Sequence, residues 1–285
     1  MSIRVAAILN GVINLTLLPM GARQRNKTMA RLSTDLQRQA AREITTPRGT
    51  LRFLPLRGAG AASAVETFQT DEPETRDWIE NTIKPGETLW DIGASIGLYA
   101  LYAGLHPDIK VLAFEPSALN FGLLAEHIAL NKMGDRVTPL CVALSGKTGI
   151  DTLYMSQYDT GSAGNALGAP ENHEGKTFAP LFAQGVPALT GDDLCTVFHL
   201  TPPDHIKLDV DGIEGDILRG MSRILPKVTS ILLEVEGRNA DQAADRIDPP
   251  LAAAGFAEDV SVRSKGSRRN RLFINQQKIS KASAA

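Results

Sequence analysis

The chain has 285 residues, 43% hydrophobic and 22% charged, the make-up of a globular protein large enough for one big α/β domain or two small ones. A formal net charge of −2 lacks the basic excess of a dedicated nucleic-acid binder. Cys141 and Cys195 stand far apart with no Cys/His cluster, so a disulfide framework and a zinc site are not expected, and a reducing, cytoplasmic setting fits.

The N-terminal run "VAAILNGVINLTLLPMG" (Val5 to Gly21) is apolar, yet Asn10 and Asn14 interrupt it and no small-residue cleavage site follows. It is too short and too polar to read as a membrane span. Val5, Ile8, Leu9, Val12 and Ile13 share one helical face. That spacing predicts an amphipathic helix packed on its own domain; peripheral membrane contact, helped by Arg23, Arg25 and Lys27, is the alternative. "AREITTPRGTLRFLP" predicts a β-hairpin around Pro47-Arg48-Gly49. "DEPETRDWIENTI" predicts a short helix that "KPG" ends. Residues 1–70 thus read as an extension, 71–276 as the main domain and 277–285 as a flexible tail.

From Glu87 strands alternate with helices. "ETLWDIG" reads as a buried strand and "GLYALYAGL" as a helix. "KVLAFEP" is the next strand, followed by a helix through Leu119 to Lys132. "RVTPLCVAL" is a third strand, interrupted by Pro139. The pattern implies parallel strands joined by right-handed crossovers. Residues 145–191, rich in Gly, Ser, Ala and Asn, break the rhythm and read as an insert, a functional or disordered loop. The alternation resumes with "HIKLDVDG", "IEGDILRGMSRIL" and "SILLEVEG". A helix broken near Pro249-Pro250 follows, then a closing strand pair around the polar turn "KGSRR".

The stretch "LWDIGASIGLYAL" decides what ligand is expected. Strand-to-helix turns lie at the carboxyl ends of parallel strands, where ligands bind. Gly93 and Gly97 remove side chains there, but the spacing Gly-Ala-Ser-Ile-Gly is not the dinucleotide fingerprint G-x-G-x-x-G. Asp91, two residues earlier, suits a cationic amine better than a pyrophosphate, and Glu115 ends the next strand where an acid accepts from ribose hydroxyls. Taken singly, Asp91 reads equally as a helix cap and Glu115 as a solvated strand end. Together they favour an aminoacyl nucleoside, and S-adenosyl-L-methionine has the required ammonium, ribose and adenine. Farther on, Lys207, Asp209 and Asp211 alternate on one strand and share a face. Buried charges there are paired or functional, and Lys207 with Asp209 is the pairing on offer.

"LWDIGASIGLYAL", "AFEPSALNFGLLAEHIALN", "VALSGKTG", "IKLDVDGIEGDILRGM" and "ILLEVEG" resemble, in order, motifs of the FkbM-like S-adenosylmethionine-dependent methyltransferases. The resemblance runs from about Asp71 to Asn275 and is most specific at Lys207 to Glu214. It implies a class I methyltransferase fold, a Rossmann-like, doubly wound, mostly parallel seven-stranded α/β sheet, and methyl transfer to a hydroxyl oxygen of a sugar, glycan or small metabolite. Carried over by position, Asp91, Gly93, Ser95 and Gly97 would line the methionine and ribose side of the cofactor. Glu115 would hold the ribose, with Pro116 shaping the turn, and Ala143 and Leu144 would lie near adenine. Asp209 and Asp211 would face the sulfonium and the acceptor. Ser95 and Asp211 stand where many members have Asn and Glu, and Thr190-Gly191-Asp192 where a Thr-Leu-Asp run is common.

A hydroxyl is a poor nucleophile, so a general base or a metal that lowers its pKa is expected. That role falls to Asp209 or Asp211, alone or holding a divalent cation, with Glu234 and Glu236 as helpers and His173, His199 and His205 as alternatives. "RSKGSRRNR" (Arg263 to Arg271) reads as a solvated turn or as a patch for an acidic acceptor. The competing functional readings are methylation of nitrogen or a protein side chain, and a non-catalytic cofactor-binding or membrane-associated module.

Overall fold

The computed structural model describes residues 2–172, 175–235 and 244–278, with side chains from Ile8 onward. It divides into two compact units, Met1–Ala41 and Arg42–Ala285. The first holds two helices, α1 (Ser2–Leu17) and α2 (Ala22–Gln39). On α1 the residues of the expected packing face, Ile8, Leu9 and Val12, are exposed.

The second unit opens with the hairpin β1 (Arg42–Thr46) and β2 (Gly49–Phe53), paired antiparallel from Arg42↔Phe53 to Thr46↔Gly49. It buries Ile44, Leu51 and Phe53, so the hairpin is part of the sheet's own unit and the break in the structure falls at Ala41 rather than at residue 70. His127 fixes it in place. Its Nε2 accepts the Leu54 N–H at 2.9 Å and its Nδ1 lies 2.8 Å from the Ile96 carbonyl, a pairing that needs a neutral ring with the proton on Nδ1. Burial pushes the pKa of His127 down to about 4. Helices α3 (Ala59–Thr67) and α4 (Pro73–Asn81) follow.

The central layer is built by β3 (Thr88–Ile92), β4 (Lys110–Phe114), β5 (Val137–Leu140), β10 (His205–Leu208), β11 (Ser230–Glu234), β12 (Phe256–Asp259) and β13 (Asn270–Asn275). Between β5 and β10 lie β6 (Ala143–Leu144), β7 (Gly149–Met155), β8 (Asn165–Leu167) and β9 (Phe182–Leu189). The seven central strands run in the order β12-β13-β11-β10-β3-β4-β5. β11, β10, β3, β4 and β5 are mutually parallel, and β13 enters antiparallel between β11 and β12. Chain order reverses between β3 and β10, the kind of crevice in which open α/β sheets bind ligands. Pro139 sits on the edge strand β5, where its missing N–H costs no ladder bond.

Helices α5 (Leu98–Ala103), α6 (Ala118–Leu130), α7 (Gly191–Thr196), α8 (Glu214–Arg219) and α9 (Ala244–Ala253) complete the layers. One face of the sheet packs Trp90, Ile92, Ile206, Leu208, Ile231 and Leu233 against Leu194, Ile217, Leu218, Ile247 and Leu251 of α7, α8 and α9. Each aliphatic side chain removed from water contributes about 1.5–3 kcal/mol. α9 runs unbroken through Pro249 and Pro250, contrary to the expected break. Buried Ile247 and Leu251 on either side hold the turn together.

Residues 145–191 are not a structureless loop. β7 pairs antiparallel with both β8 and β9, and β9 joins β6, giving a second sheet of four strands. Leu153, Met155, Val186 and Ala188 bury its inner face.

On the other face of the main sheet, Trp78 of α4 donates from its indole nitrogen to Ser230 Oγ at 2.9 Å. His205 Nδ1 lies 2.7 Å from the same oxygen, and His205 Nε2 lies 2.8 Å from Glu87 Oε2. Ser230→Ala strips partners from two buried polar groups. Stability is expected to fall by about 1–3 kcal/mol, read as a lower denaturant midpoint at unchanged slope.

Candidate active site

Two βα turns meet at the chain reversal. After β3 the backbone turns left-handed three times, at Gly93 (φ 85°), Ser95 (φ 49°) and Gly97 (φ 89°). A Cβ on Gly93 would overlap the carbonyl oxygen of Asp209, so this turn and the one after β10 touch backbone to backbone. A Cβ on Gly97 would overlap Leu124 of α6; Gly97 therefore secures helix packing, and the cavities below are lined without it. Gly93 and Ala94 donate to the Phe114 carbonyl, each at 3.0 Å. Glu115 accepts the Ser95 N–H on Oε2 and the Ser117 N–H on Oε1, each at 2.8 Å. The acid at the tip of β4 thus ties the turn after β3 to the turn after β4.

Three cavities run along this edge. The first, about 370 Å³, is lined by Asp91, Gly93, Ser95, Tyr99, Lys207, Asp209, Asp211, Glu234 and Arg269, and on its outer side by Phe68, Asp71 and Glu72. The second, about 180 Å³, shares Gly93, Ser95, Asp209 and Asp211 and adds Glu115, Pro116, Asn120 and residues 161–163 of the β7–β8 connection. The third is an apolar slot between Ile92, Phe114, Pro116, Val142, Ala143, Leu144 and Leu167, with Asp211 at its edge. Asp211 lines all three.

The β7–β8 connection closes over the second cavity. Gly164 donates to Asp211 Oδ2 at 2.8 Å and Gly161 to Asn120 Oδ1 at 2.7 Å. Asp159 accepts the N–H groups of Ala59 and Gly60, and Ala61 donates to the Thr160 carbonyl at 3.0 Å. Side chains on Gly58, Gly60 or Gly161 would overlap the facing backbone. The insert is therefore seated on the start of α3 along a seam of bare backbone.

The electrostatics centre on Lys207, buried on β10 opposite Asp91 in register. Its Nζ bonds Asp209 and lies 4.9 Å from the centroid of the Tyr99 ring. Burial opposes its charge, but Asp209, Glu72 and Asp91 hold its pKa above the usual lysine range. Burial also opposes ionisation of Asp209, yet Lys207 and a hydrogen bond from Glu234 bring its pKa down to about 2. Burial and the Asp209 charge push Glu234 up to about 10. Arg269 Nε meets Glu234 Oε1 at 2.6 Å, and its NH2 group reaches Asp71 at 3.4 Å and Glu72 at 3.5 Å. Burial raises Asp91 to about 6 and Glu115 to about 7. Asp91 Oδ1 is buried with no hydrogen-bond partner.

Glu72, Asp209 and Glu234 offer carboxylate oxygens within 4.8 Å of one another. A divalent cation fits this donor set poorly, because two cationic side chains already hold it: Lys207 bonds Asp209 and Arg269 Nε meets Glu234 at 2.6 Å. Of the residues singled out from sequence, Asp91, Gly93, Ser95, Glu115, Pro116, Ala143, Leu144, Asp209, Asp211 and Glu234 line the three cavities. His205 does not; it is buried at the start of β10 among Ser230 and Glu87. His173 and Glu236 lie outside the described residues. Sequence reasoning missed Glu72, Tyr99 and the place of Arg269, which pairs across the site instead of only being solvated in its turn. The one local signal was the charged Asp71-Glu72 before Pro73.

The Methyltransferase FkbM domain model matches residues 91–258, more than half of the chain. Over 149 residues the chain is 27% identical to the hexuronic acid methyltransferase AglP of Haloferax volcanii, covering 52% of this chain and 56% of that protein. The matched stretch thus spans about half the length of that relative. Over 211 residues it is 26% identical to the 31-O-demethyl-FK506 methyltransferase FkbM of Streptomyces tacrolimicus, covering 66% of this chain and 78% of that one. Among solved structures, Aeropyrum pernix fibrillarin in complex with natively bound S-adenosyl-L-methionine aligns at 12% identity and a TM-score of 0.41, over 82% of this chain and 81% of that one.

The raised pKa of Glu115 makes a signed prediction. A carboxyl with a higher pKa folded than unfolded binds its proton more tightly in the fold, so its contribution to stability is present at low pH and lost as pH rises. The window runs from the ordinary 4.5 to about 7. Glu115→Gln keeps an acceptor but cannot titrate. Melting temperatures measured across this window are expected to fall less steeply with rising pH than those of the wild type; parallel curves would contradict the burial of an ionisable group there.

Proposed function

The chain belongs to the FkbM methyltransferase domain family, and from that premise we propose that it transfers a methyl group from S-adenosyl-L-methionine to a hydroxyl oxygen of a sugar, glycan or small metabolite. The observation that carries the reading is the pair of buried carboxylates on consecutive βα turns, Asp91 and Glu115, on either side of a glycine that no side chain can replace. The orphaned Oδ1 of Asp91 suits an ammonium group. Each Glu115 oxygen takes one backbone N–H and has a second lone pair for a ribose hydroxyl. The slot at Ala143 and Leu144 is apolar, as a purine face requires. When bound, the cofactor supplies an electrophilic methyl group on a sulfonium. The Haloferax relative is named for a hexuronic acid and the Streptomyces relative for an oxygen of FK506, which supports oxygen as the acceptor atom.

The chain's own task is placement and proton removal. Asp209 is held ionised by Lys207 and Glu234, so it supplies fixed negative charge and is too weak a base to take a hydroxyl proton. Asp211 stands where the three cavities join and is fixed by the Gly164 N–H. In this reading it accepts the acceptor's proton as general base, worth about 10²–10⁴ in rate. The cavity beyond it, walled by Phe68, Asp71, Glu72 and Arg269, receives the acceptor, and holding nucleophile and methyl in line supplies much of the remaining acceleration.

Purified protein and methyl-labelled S-adenosyl-L-methionine, added to extract of cells lacking the protein, are expected to label a glycan or small-metabolite fraction at oxygen. Label found only in polypeptide, or none despite cofactor binding, would overturn the reading. In the same assay Asp211→Asn is expected to lower turnover about 10²-fold or more while binding the cofactor normally; full turnover would remove Asp211 from the chemistry.

A further inference from the structure

We propose that the N-terminal helical unit seats the protein on an anionic lipid surface. The unit, Met1–Ala41, is compact in its own right and lies outside the family-matched residues 91–258. On α1, Ile8, Val12 and Leu15 recur at i, i+4 and i+7 and are 66%, 55% and 67% exposed. Leu9 and Leu18 extend the patch, while Leu17 turns inward and is buried. α1 carries no acidic residue, and Asn10 and Asn14 fall on the side away from the stripe. Such a row in water is unfavourable unless something apolar covers it.

The neighbouring helix says what covers it. α2 holds Arg23, Arg25, Lys27, Arg31 and Arg38 against a single acid, Asp35. Arg23, Lys27 and Arg31 repeat every four residues and form one exposed cationic edge with Arg38. An exposed apolar stripe and an exposed basic edge within one small unit match acyl chains beneath anionic headgroups. A second copy of the chain would bring like charge to like charge, and a nucleic acid would leave the apolar stripe uncovered. At 16 residues α1 is about 24 Å long, short of the hydrocarbon thickness of a bilayer. Among the described residues no helix is long and apolar enough to cross one. The geometry is that of a helix lying in the interface.

The full chain is sedimented with vesicles of phosphatidylcholine alone and with vesicles that also contain phosphatidylglycerol. Binding is expected only to the second, with release at high salt. Arg23→Gln, Lys27→Gln and Arg31→Gln together are expected to weaken it about a hundredfold, at about fivefold per charge. Val12→Asp is expected to abolish it, and both variants should keep the wild-type melting temperature. No sedimentation, equal binding to both vesicles, or binding indifferent to either variant would overturn the proposal. So would a dimer in light scattering that Val12→Asp dissolves, or a melting temperature lowered by Val12→Asp, which would assign the stripe to a second copy or to packing within the chain.

Discussion

A single buried cation organises this site. Taking an ammonium out of water costs several kcal/mol unless opposite charge and hydrogen bonds replace its hydration, and Lys207 sits on a central strand with almost no solvent contact. Its register partner on β3 is Asp91 and its bonded partner is Asp209. Each carboxylate it attracts is also a wall of the cavity. The charge that stabilises the strand ends is therefore also the charge that faces the cavity. Glu234 and Arg269 extend the network to β11 and to the turn before β13, so it joins β3, β10, β11 and the approach to β13.

The network also sorts the carboxyl groups into roles. Lys207 lowers Asp209 and ties it down, while burial and the Asp209 charge raise Glu234. Burial raises Asp91 to about 6 and Glu115 to about 7, so both carry a charge that burial opposes. Asp211 lines all three cavities and accepts the Gly164 N–H. Five acids clustered at strand tips would look interchangeable by composition; their neighbours separate them.

The parts that sequence made legible are those whose cause is local. Left-handed turns require glycine at Gly93 and Gly97, and the acids at Asp91 and Glu115 stand at fixed offsets from strand ends, so the turn chemistry and the crevice could be read directly. Lys207 with Asp209 was readable because two charges on one buried strand must compensate. What escaped was set at a distance. Arg269 meets Glu72 across 197 residues, and nothing local to either announces the other. The strands of the insert were hidden by their composition: β9, "FAQGVPAL", carries a glycine and a proline and buries only part of one face, so the alternation that marks a strand is blurred. The unbroken α9 was a failure of a different kind, since buried Ile247 and Leu251 outweigh the penalty of two prolines.

The bare seam between Gly58, Gly60 and Gly161 makes small size a condition of assembly. Its fasteners are amide-to-carboxylate and amide-to-carbonyl bonds, and a Cβ at any of the three glycines would strike the opposite main chain. The same arm hands the Gly164 N–H to Asp211. A single methyl group added at the far edge of the arm would therefore be felt, through the main chain, at the aspartate.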